Sequence, residues 1–324
     1  MILVTGAAGK TGKAVISALA AKGALVRALA RRAEYAPALK ALGAAEVKVG
    51  GFDNARALAG AAAGAQAIYH ICPNVSRDEV AYARAVVAAA QAQGVKRFVY
   101  HSVLHPQIEA MPHHWAKMRV EEMLFAASFD VTILQPTAYM QNILAGWRSI
   151  VTEGLFRVPY AVETRLSLVD LDDVAEAAAL VLTTDGHAGA TYELVGTQPL
   201  SQNEVAAVIG AALNRAVRAE AESVEQWEAR ASGAGIGEHE RKADENRTLN
   251  RVGRTPGVRN ATLTGVRFPP PVLADSGHEG NLLLRCWPPN RERHRTNLFC
   301  SGLGNHGLIG LEEVNLWVAG IRPG

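Results

Sequence analysis

The sequence predicts an α/β fold, a doubly wound parallel sheet followed by a small C-terminal α+β lobe and an irregular C-terminal tail. Two observations carry this. From residue 1 to about 136, apolar runs of strand length alternate with helical, alanine-rich segments, the order that builds a parallel sheet with helices on both faces. The first run, Met1-Ile2-Leu3-Val4-Thr5, opens straight into Gly6, Gly9 and Gly12. A strand-to-helix turn of this form suits a pyrophosphate resting on a helix N-terminus. One glycine makes the turn, one lets backbone N–H groups reach phosphate oxygens, and one lets helix and strand pack closely. The expected architecture is therefore of the Rossmann type.

Each element follows from local pattern. The remaining strands of the sheet are read at 24–30, 45–49, 67–72, 97–102 and 131–136. Helices are read at 10–21, 36–42, 55–63, 79–92 and 115–127, and their alanine content is a helix-propensity effect. Past residue 140 the pattern loosens into short strands at 154–158, 166–169 and 191–195 and helices at 172–182 and 203–213. Ser201 with Glu204 three residues on forms a capping box for the last of these. A further helix containing Trp227 is read at 220–231.

The chain thus divides into a dinucleotide-binding domain at 1–140, a small substrate lobe at 141–244 and a tail at 245–324. After Lys242 lysine disappears, arginine recurs and helical periodicity is lost. Runs such as Phe268-Pro269-Pro270-Pro271 and Arg291-Glu292-Arg293-His294-Arg295 read as a weakly packed, solvated segment rather than a polyanion-binding arm. A reading-frame change in the gene upstream of the tail would produce such a break, and the other frames would expose it.

The end of the second strand speaks to cofactor choice. A site for NAD carries a carboxylate there, about twenty residues past the glycines, to hold the ribose 2′-hydroxyl. Here the strand ends in Arg31-Arg32, and the first acid is Glu34. Guanidinium groups pair a phosphate through a fixed fork of donors, so NADP(H) is expected. Cofactor contacts are expected from Gly6, Ala8, Gly9, Lys10, Thr11 and Gly12 of the turn, and from Arg31 and Arg32. Cys72-Pro73 after the fourth strand complete this set. Gly9-Lys10-Thr11 mimics the end of a P-loop, but Val4 stands where that loop requires its first glycine.

Composition excludes several classes. Thirty-three basic against 31 acidic residues leave a net charge of +2, which argues against nucleic acid or a membrane surface as partner. Three scattered cysteines, the absence of a signal peptide and of any spanning apolar run suggest a cytoplasmic protein. His70, His101, His105, His113 and His114 match no common metal-ligand spacing, so no metal is expected.

Chemistry-bearing groups cluster near strand C-termini: Ser102 after the fifth strand, His113-His114-Trp115-Ala116-Lys117 on the helix that follows, and Tyr139 past the sixth. The glycine triplet, Arg31, Ser102, Lys117 and Val169-Asp170-Leu171-Asp172-Asp173-Val174 together resemble the NmrA-like proteins. These are a branch of the atypical short-chain dehydrogenase/reductases, akin to isoflavone-reductase-like and NADPH–quinone-reductase-like members. The resemblance covers about residues 1–235.

In the wider superfamily a Tyr-x-x-x-Lys pair works with a serine: the lysine holds the nicotinamide ribose and the phenol passes a proton to the carbonyl oxygen. The resemblance puts Lys117 at the lysine place, as a cofactor contact, and Ser102 at the serine place, but His113 stands where the tyrosine belongs; it also puts Asp53, after Gly50-Gly51-Phe52, on the adenine side of the cofactor. It implies NADPH-dependent reduction of a small apolar acceptor, a quinone or enone. Lys117, His113, Ser102 and Tyr139 are the catalytic candidates, and Pro73, Val75, Met111, Trp115, Tyr139 and Met140 the expected walls. The alternative is a non-catalytic NADP(H) sensor acting through a protein partner.

Overall fold

The computed structural model describes residues 1–73, 75–223, 225–227 and 229, and the backbone of two short strands near the C-terminus. The described chain forms two units. The first comprises Met1–Pro136 and Leu171–Leu194. Its strands are β1 (Ile2–Val4), β2 (Val26–Ala30), β3 (Ala44–Val49), β4 (Ala67–His70), β5 (Arg97–His101), β6 (Asp130–Pro136) and β10 (Ala190–Leu194). All seven are parallel, in the order β3-β2-β1-β4-β5-β6-β10. The order reverses between β1 and β4, and it is outside the strand carboxyl ends at such a switch point that open sheets bind ligands.

Helices α1 (Lys10–Ala21), α2 (Ala36–Ala41), α3 (Ala55–Ala62), α4 (Glu79–Ala92), α5 (Pro112–Phe125) and α7 (Leu171–Thr183) belong to the same unit. One core layer joins Leu3, Ile68, Phe98, Tyr100 and Ile133 of the sheet to Leu58 of α3, Val86 of α4, and Val120 and Leu124 of α5. On α1 the buried face is Val15, Ile16 and Leu19, and α1 packs against α7. Strands covered on both faces carry unbroken apolar runs, which makes them legible in sequence. Local chemistry sets several helix ends: the Asn54 side chain accepts from Ala57 N at 2.9 Å to cap α3, and Pro112 occupies the first turn of α5.

The second unit comprises Thr137–Asp170 and the described residues that follow Leu194 up to Trp227. Within it β7 (Ala138–Tyr139) pairs with β9 (Leu168–Val169), and β8 (Leu155–Val158) with β11 (Arg218–Ala221), both parallel. With α6 (Trp147–Glu153) and α8 (Gln202–Ala212) they enclose Ile150, Phe156, Val158, Val205, Ala206 and Ile209. Ser201 and Glu204 form the expected reciprocal capping box on α8.

The structure departs from the sequence pattern in three places. The pattern puts the strand at 191–195 and the helix at 172–182 in a small lobe at 141–244. Instead the chain leaves the sheet after Pro136 and returns, so α7 and β10 complete the first unit and no single boundary near 140 exists. The reason is a long-range backbone ladder to β6, which local pattern does not record. Residues 220–221, expected to be helical, end β11, where pairing to β8 overrides propensity. Residues 225–227 and 229 are helical, and the rest of 222–231 is either irregular or outside the described residues. The fifth helix starts at Pro112 rather than 115, bringing His113 into its first turn. The weak packing expected of the tail lies outside the described residues, save the antiparallel pair β12 (Val272–Ala274) and β13 (Leu283–Arg285).

Arg27 of β2 shows how the unit closes its own polar ends. Its guanidinium donates to the carbonyls of Ala61 and Ala63 at the end of α3, at 2.7 and 2.6 Å, and to Glu46 Oε2 at 2.8 Å. Replacing it leaves helix-end carbonyls without donors. Arg27→Leu is therefore expected to cost about 2–4 kcal/mol in urea denaturation, well beyond the effect of Glu46→Gln at the exposed side of the pair.

Candidate active site at the strand carboxyl ends

The turn from β1 to α1 is built by its glycines. Gly6 lies at φ +58°, and a Cβ there would stand 2.6 Å from the carbonyl oxygen of Ile71. A Cβ on Gly12 would meet Gly6 O at 2.5 Å, so the third glycine lets α1 seat against the turn. Gly9 is the exposed N-cap of α1, and no side chain caps the helix there. An open helix N-terminus with its positive dipole end is a fitting cradle for pyrophosphate. Lys10 is exposed, Ala8 half-buried, and Thr11 buried.

After β2 the two arginines differ. Arg32 pairs with Glu34 at 3.2 Å, bonds the Tyr35 hydroxyl, and lies 4.8 Å over that ring. Arg31 is exposed and has no ion-pair partner among the described residues. Asp53 is exposed in the turn before α3, Cys72 is buried after β4, and Pro73 is exposed beside it. Burial, reinforced by Glu79, pushes the Cys72 thiol well up, so it is an inert core group. Val75 in the same loop sits at φ +51°, a strained conformation for a β-branched residue.

At the ends of β4 and β5 the fold brings together polar groups that lie far apart in sequence. Lys117 Nζ donates to Glu79 Oε1 of α4 at 3.0 Å and to His101 O at 3.3 Å. It lies 5.3 Å over the Tyr100 ring, and the Tyr100 hydroxyl donates to the same Glu79 oxygen at 2.7 Å. Burial pushes the Glu79 carboxyl up, but the Lys117 ammonium and the bonds from Tyr100 and Lys117 outweigh it and hold Glu79 below the usual range. Burial and the Glu79 charge push the Tyr100 phenol well above its ordinary value, so it is no substitute for the missing tyrosine.

Ser102 follows β5 and is buried, its hydroxyl donating to Glu121 Oε1 of α5. Gln135 Nε2 of β6 donates to both Glu121 oxygens, at 3.0 and 3.1 Å. Burial raises the Glu121 carboxyl, and the bonds from Ser102 and Gln135 and the Lys117 charge offset only part of that. Neither glutamate stands among the candidates that motif and position single out. Glu121 lies one helical turn after Lys117, and that i, i+4 spacing is the sequence signal for it; nothing in the sequence points to Glu79.

His113, half-buried in the first turn of α5, sits edge-on to His114 at 4.4 Å, and His114 Nδ1 meets His105 O at 3.0 Å. Tyr139 lies on β7 and Met140 follows it, both in the second unit. Fully buried His70 bonds Thr5 Oγ1 through Nδ1 at 2.9 Å, while its Nε2 meets no partner among the described residues. His101 bonds the Tyr69 hydroxyl at 2.6 Å. Among the described residues no three histidine, cysteine or acidic side chains converge as a metal site would require, and no helix is long and apolar enough to cross a membrane. An open cavity of about 580 Å³ lies at the amino ends of the strands, by Met1, Leu25 and Lys96, on the opposite edge from the glycine turn.

Residues 1–234 match the NmrA-like family. The chain belongs to that family. It is 33% identical over 243 residues to the NAD(P)H azoreductase of Xenophilus azovorans, covering 74% of this chain and 82% of that enzyme. The structure of an NADPH-dependent quinone oxidoreductase from Escherichia coli, complexed with NADPH, superposes with a TM-score of 0.67 at 27% identity. That match covers 78% of this chain and 90% of the E. coli enzyme. The triphenylmethane reductase of Citrobacter sp., complexed with NADP(H), also matches with a TM-score of 0.67 at 27% identity, over 77% of this chain and 90% of that one. For this NmrA-like protein the glycine turn and the open Arg31 are the features of its own chain that fit such a dinucleotide.

The contrast between the two arginines is measurable. Arg31→Ala is expected to weaken NADPH binding about tenfold or more, leave NADH binding within about twofold, and exceed the effect of Arg32→Ala; fluorescence titration reads all three. The buried histidines should show in the pH dependence of stability. Burial lowers His70 to about 4 and His101 to about 3, far below the ordinary histidine value. Unfolded rings take up protons near pH 6.5 while the folded ones do not, so both contributions are complete above that pH and fade as it falls toward 4. The urea midpoint should drop between pH 7 and 5; a constant midpoint across that window would mean that the folded rings take up protons as readily as the unfolded ones.

Proposed function

We propose that this protein is an NADPH-dependent reductase that passes hydride directly to a small apolar acceptor of the quinone or enone class. It is an oxidoreductase of the NmrA-like family with NADP(H) as cofactor. The observation that carries the choice of acceptor is the arrangement at the three superfamily positions. The hydroxyl of Ser102 is engaged by Glu121, the tyrosine place is His113, and Lys117 is held by Glu79. Tyr100, the phenol next to that lysine, keeps its proton on Glu79.

An acceptor reduced here must need little from a proton donor. Hydride addition to a quinone or conjugated enone leaves a delocalised anion, whereas a simple ketone leaves an alkoxide that requires a proton as it forms.

The chain's own residues divide the work. The β1–α1 turn, Gly6 to Gly12, holds pyrophosphate, and Arg31 selects the 2′-phosphate. Lys117 presents a fixed ammonium at the carboxyl end of β5, and Ser102 with Glu121 shapes the acceptor end behind it. NADPH, when bound, supplies the hydride. The delocalised anion takes its proton from solvent, and His113 occupies the tyrosine place in the first turn of α5.

The deciding experiment is anaerobic stopped-flow fluorescence of NADPH with the purified protein and a panel of quinones, enones and simple ketones. Binding should enhance the NADPH signal, and quinones or enones should discharge it while ketones do not. Deuterium placed on either face of C4 of the cofactor should appear in an enone product from one face only. A bound signal that persists with every acceptor would replace the reductase by a dinucleotide sensor.

A further inference from the structure

The buried ion pair under the carboxyl ends of β4 and β5 has a physical peculiarity. Glu79 and Lys117 have side chains only 3% and 12% exposed, and a buried pair contributes little stability beyond what apolar residues of the same size would give. What such a pair does uniquely is keep a cation in a fixed place. An ammonium carries three N–H donors. Glu79 Oε1 takes one at 3.0 Å and His101 O a second at 3.3 Å; beyond the Tyr100 ring 5.3 Å away, the third has no hydrogen-bond acceptor among the described residues. Glu79 is itself fixed by the Tyr100 hydroxyl at 2.7 Å, so the anchor does not swing.

We infer that Glu79 is a positioning residue: through its ion pair it holds Lys117 as a permanent, immobile donor whose third N–H faces the dinucleotide, and so removes Lys117 from acid–base chemistry. This rests on the reading of Lys117 as a cofactor-facing group. It separates two roles that the sequence leaves open, since a lysine paired to a buried carboxylate is a hydrogen-bond donor and not a proton shuttle.

The consequence is a specific pH behaviour. The titratable groups around Lys117 are Glu79 from α4, Tyr100 and His101 from β5, His70 from β4, Cys72 after it, and Glu121 on its own helix. Between pH 7 and 9.5 both histidines stay neutral, and the buried phenol and thiol stay protonated. The cofactor's 2′-phosphate, with its second pKa near 6, is already fully charged. Glu79→Gln takes away the carboxylate bonded to the buried ammonium and leaves only the more distant Glu121, which disfavours the charged form within that window.

NADPH affinity, measured by fluorescence titration from pH 7 to 9.5, tests this on the full chain. The wild type should change less than about twofold across the window. Glu79→Gln should lose about tenfold toward its basic end, and Glu79→Asp should restore most of the flat profile. A flat Glu79→Gln profile at wild-type affinity overturns the inference, as does a pH-independent loss accompanied only by a lower melting temperature.

Should Glu79→Gln fail to fold, the pair Lys117→Met and Glu79→Leu/Lys117→Met decides. Because Glu79 acts only through Lys117, both should show the same pH-independent loss of affinity. A further loss in the double variant, or wild-type affinity in either, overturns it. Quinone turnover is followed in parallel. A wild type that binds NADPH but reduces nothing sinks the reductase reading, while the binding profiles still decide the role of Glu79.

Discussion

A parallel sheet covered on both faces imposes one constraint from which the rest of the first unit follows. All strand carboxyl ends emerge at the same edge, and polar side chains there are cut off from water by helices on either side. Such groups must bond one another or a ligand. Thr5 with His70, Tyr69 with His101, Tyr100 with Glu79 and Lys117, and Ser102 with Glu121 and Gln135 are four answers to that constraint. Together they line the ends of β1, β4, β5 and β6, on either side of the point where the strand order reverses.

The two buried carboxylates show how environment assigns opposite characters to identical groups. Glu79 has a cation and a phenol on one oxygen, and their combined pull exceeds the effect of burial. Glu121 has neutral donors and only the more distant charge of Lys117, so burial prevails and its proton is held more tightly. One carboxylate neutralises a lysine; the other anchors a serine. Ser102 and Lys117 are thus each bonded to a buried carboxylate.

The first unit is assembled from two stretches of chain, because α7 and β10 return to the sheet after the excursion from Thr137 to Asp170. The excursion and the chain beyond Val195 enclose a separate apolar core, with Arg157 joining α6, β8 and β11 through Ser149, Glu153 and Glu220. Long-range strand pairing, rather than sequence order, therefore decides which residues share a core.

Local periodicity determined much of this protein. The run of apolar strands, the glycine turn, the Ser201–Glu204 cap and the arginines after β2 are set by neighbours within a few residues, so the sequence by itself displays them. Position relative to the strands likewise points to Ser102 and Lys117 as chemistry-bearing. Tertiary structure alone decided what those residues face. Arg32 is spent on Glu34 and Tyr35 while Arg31 stays open, β10 belongs to the main sheet, and Glu79 reaches Lys117 across 38 positions of chain. The last two depend on packing between distant segments, and the first on how the turn after β2 aims two adjacent side chains. None of the three leaves a trace in local pattern.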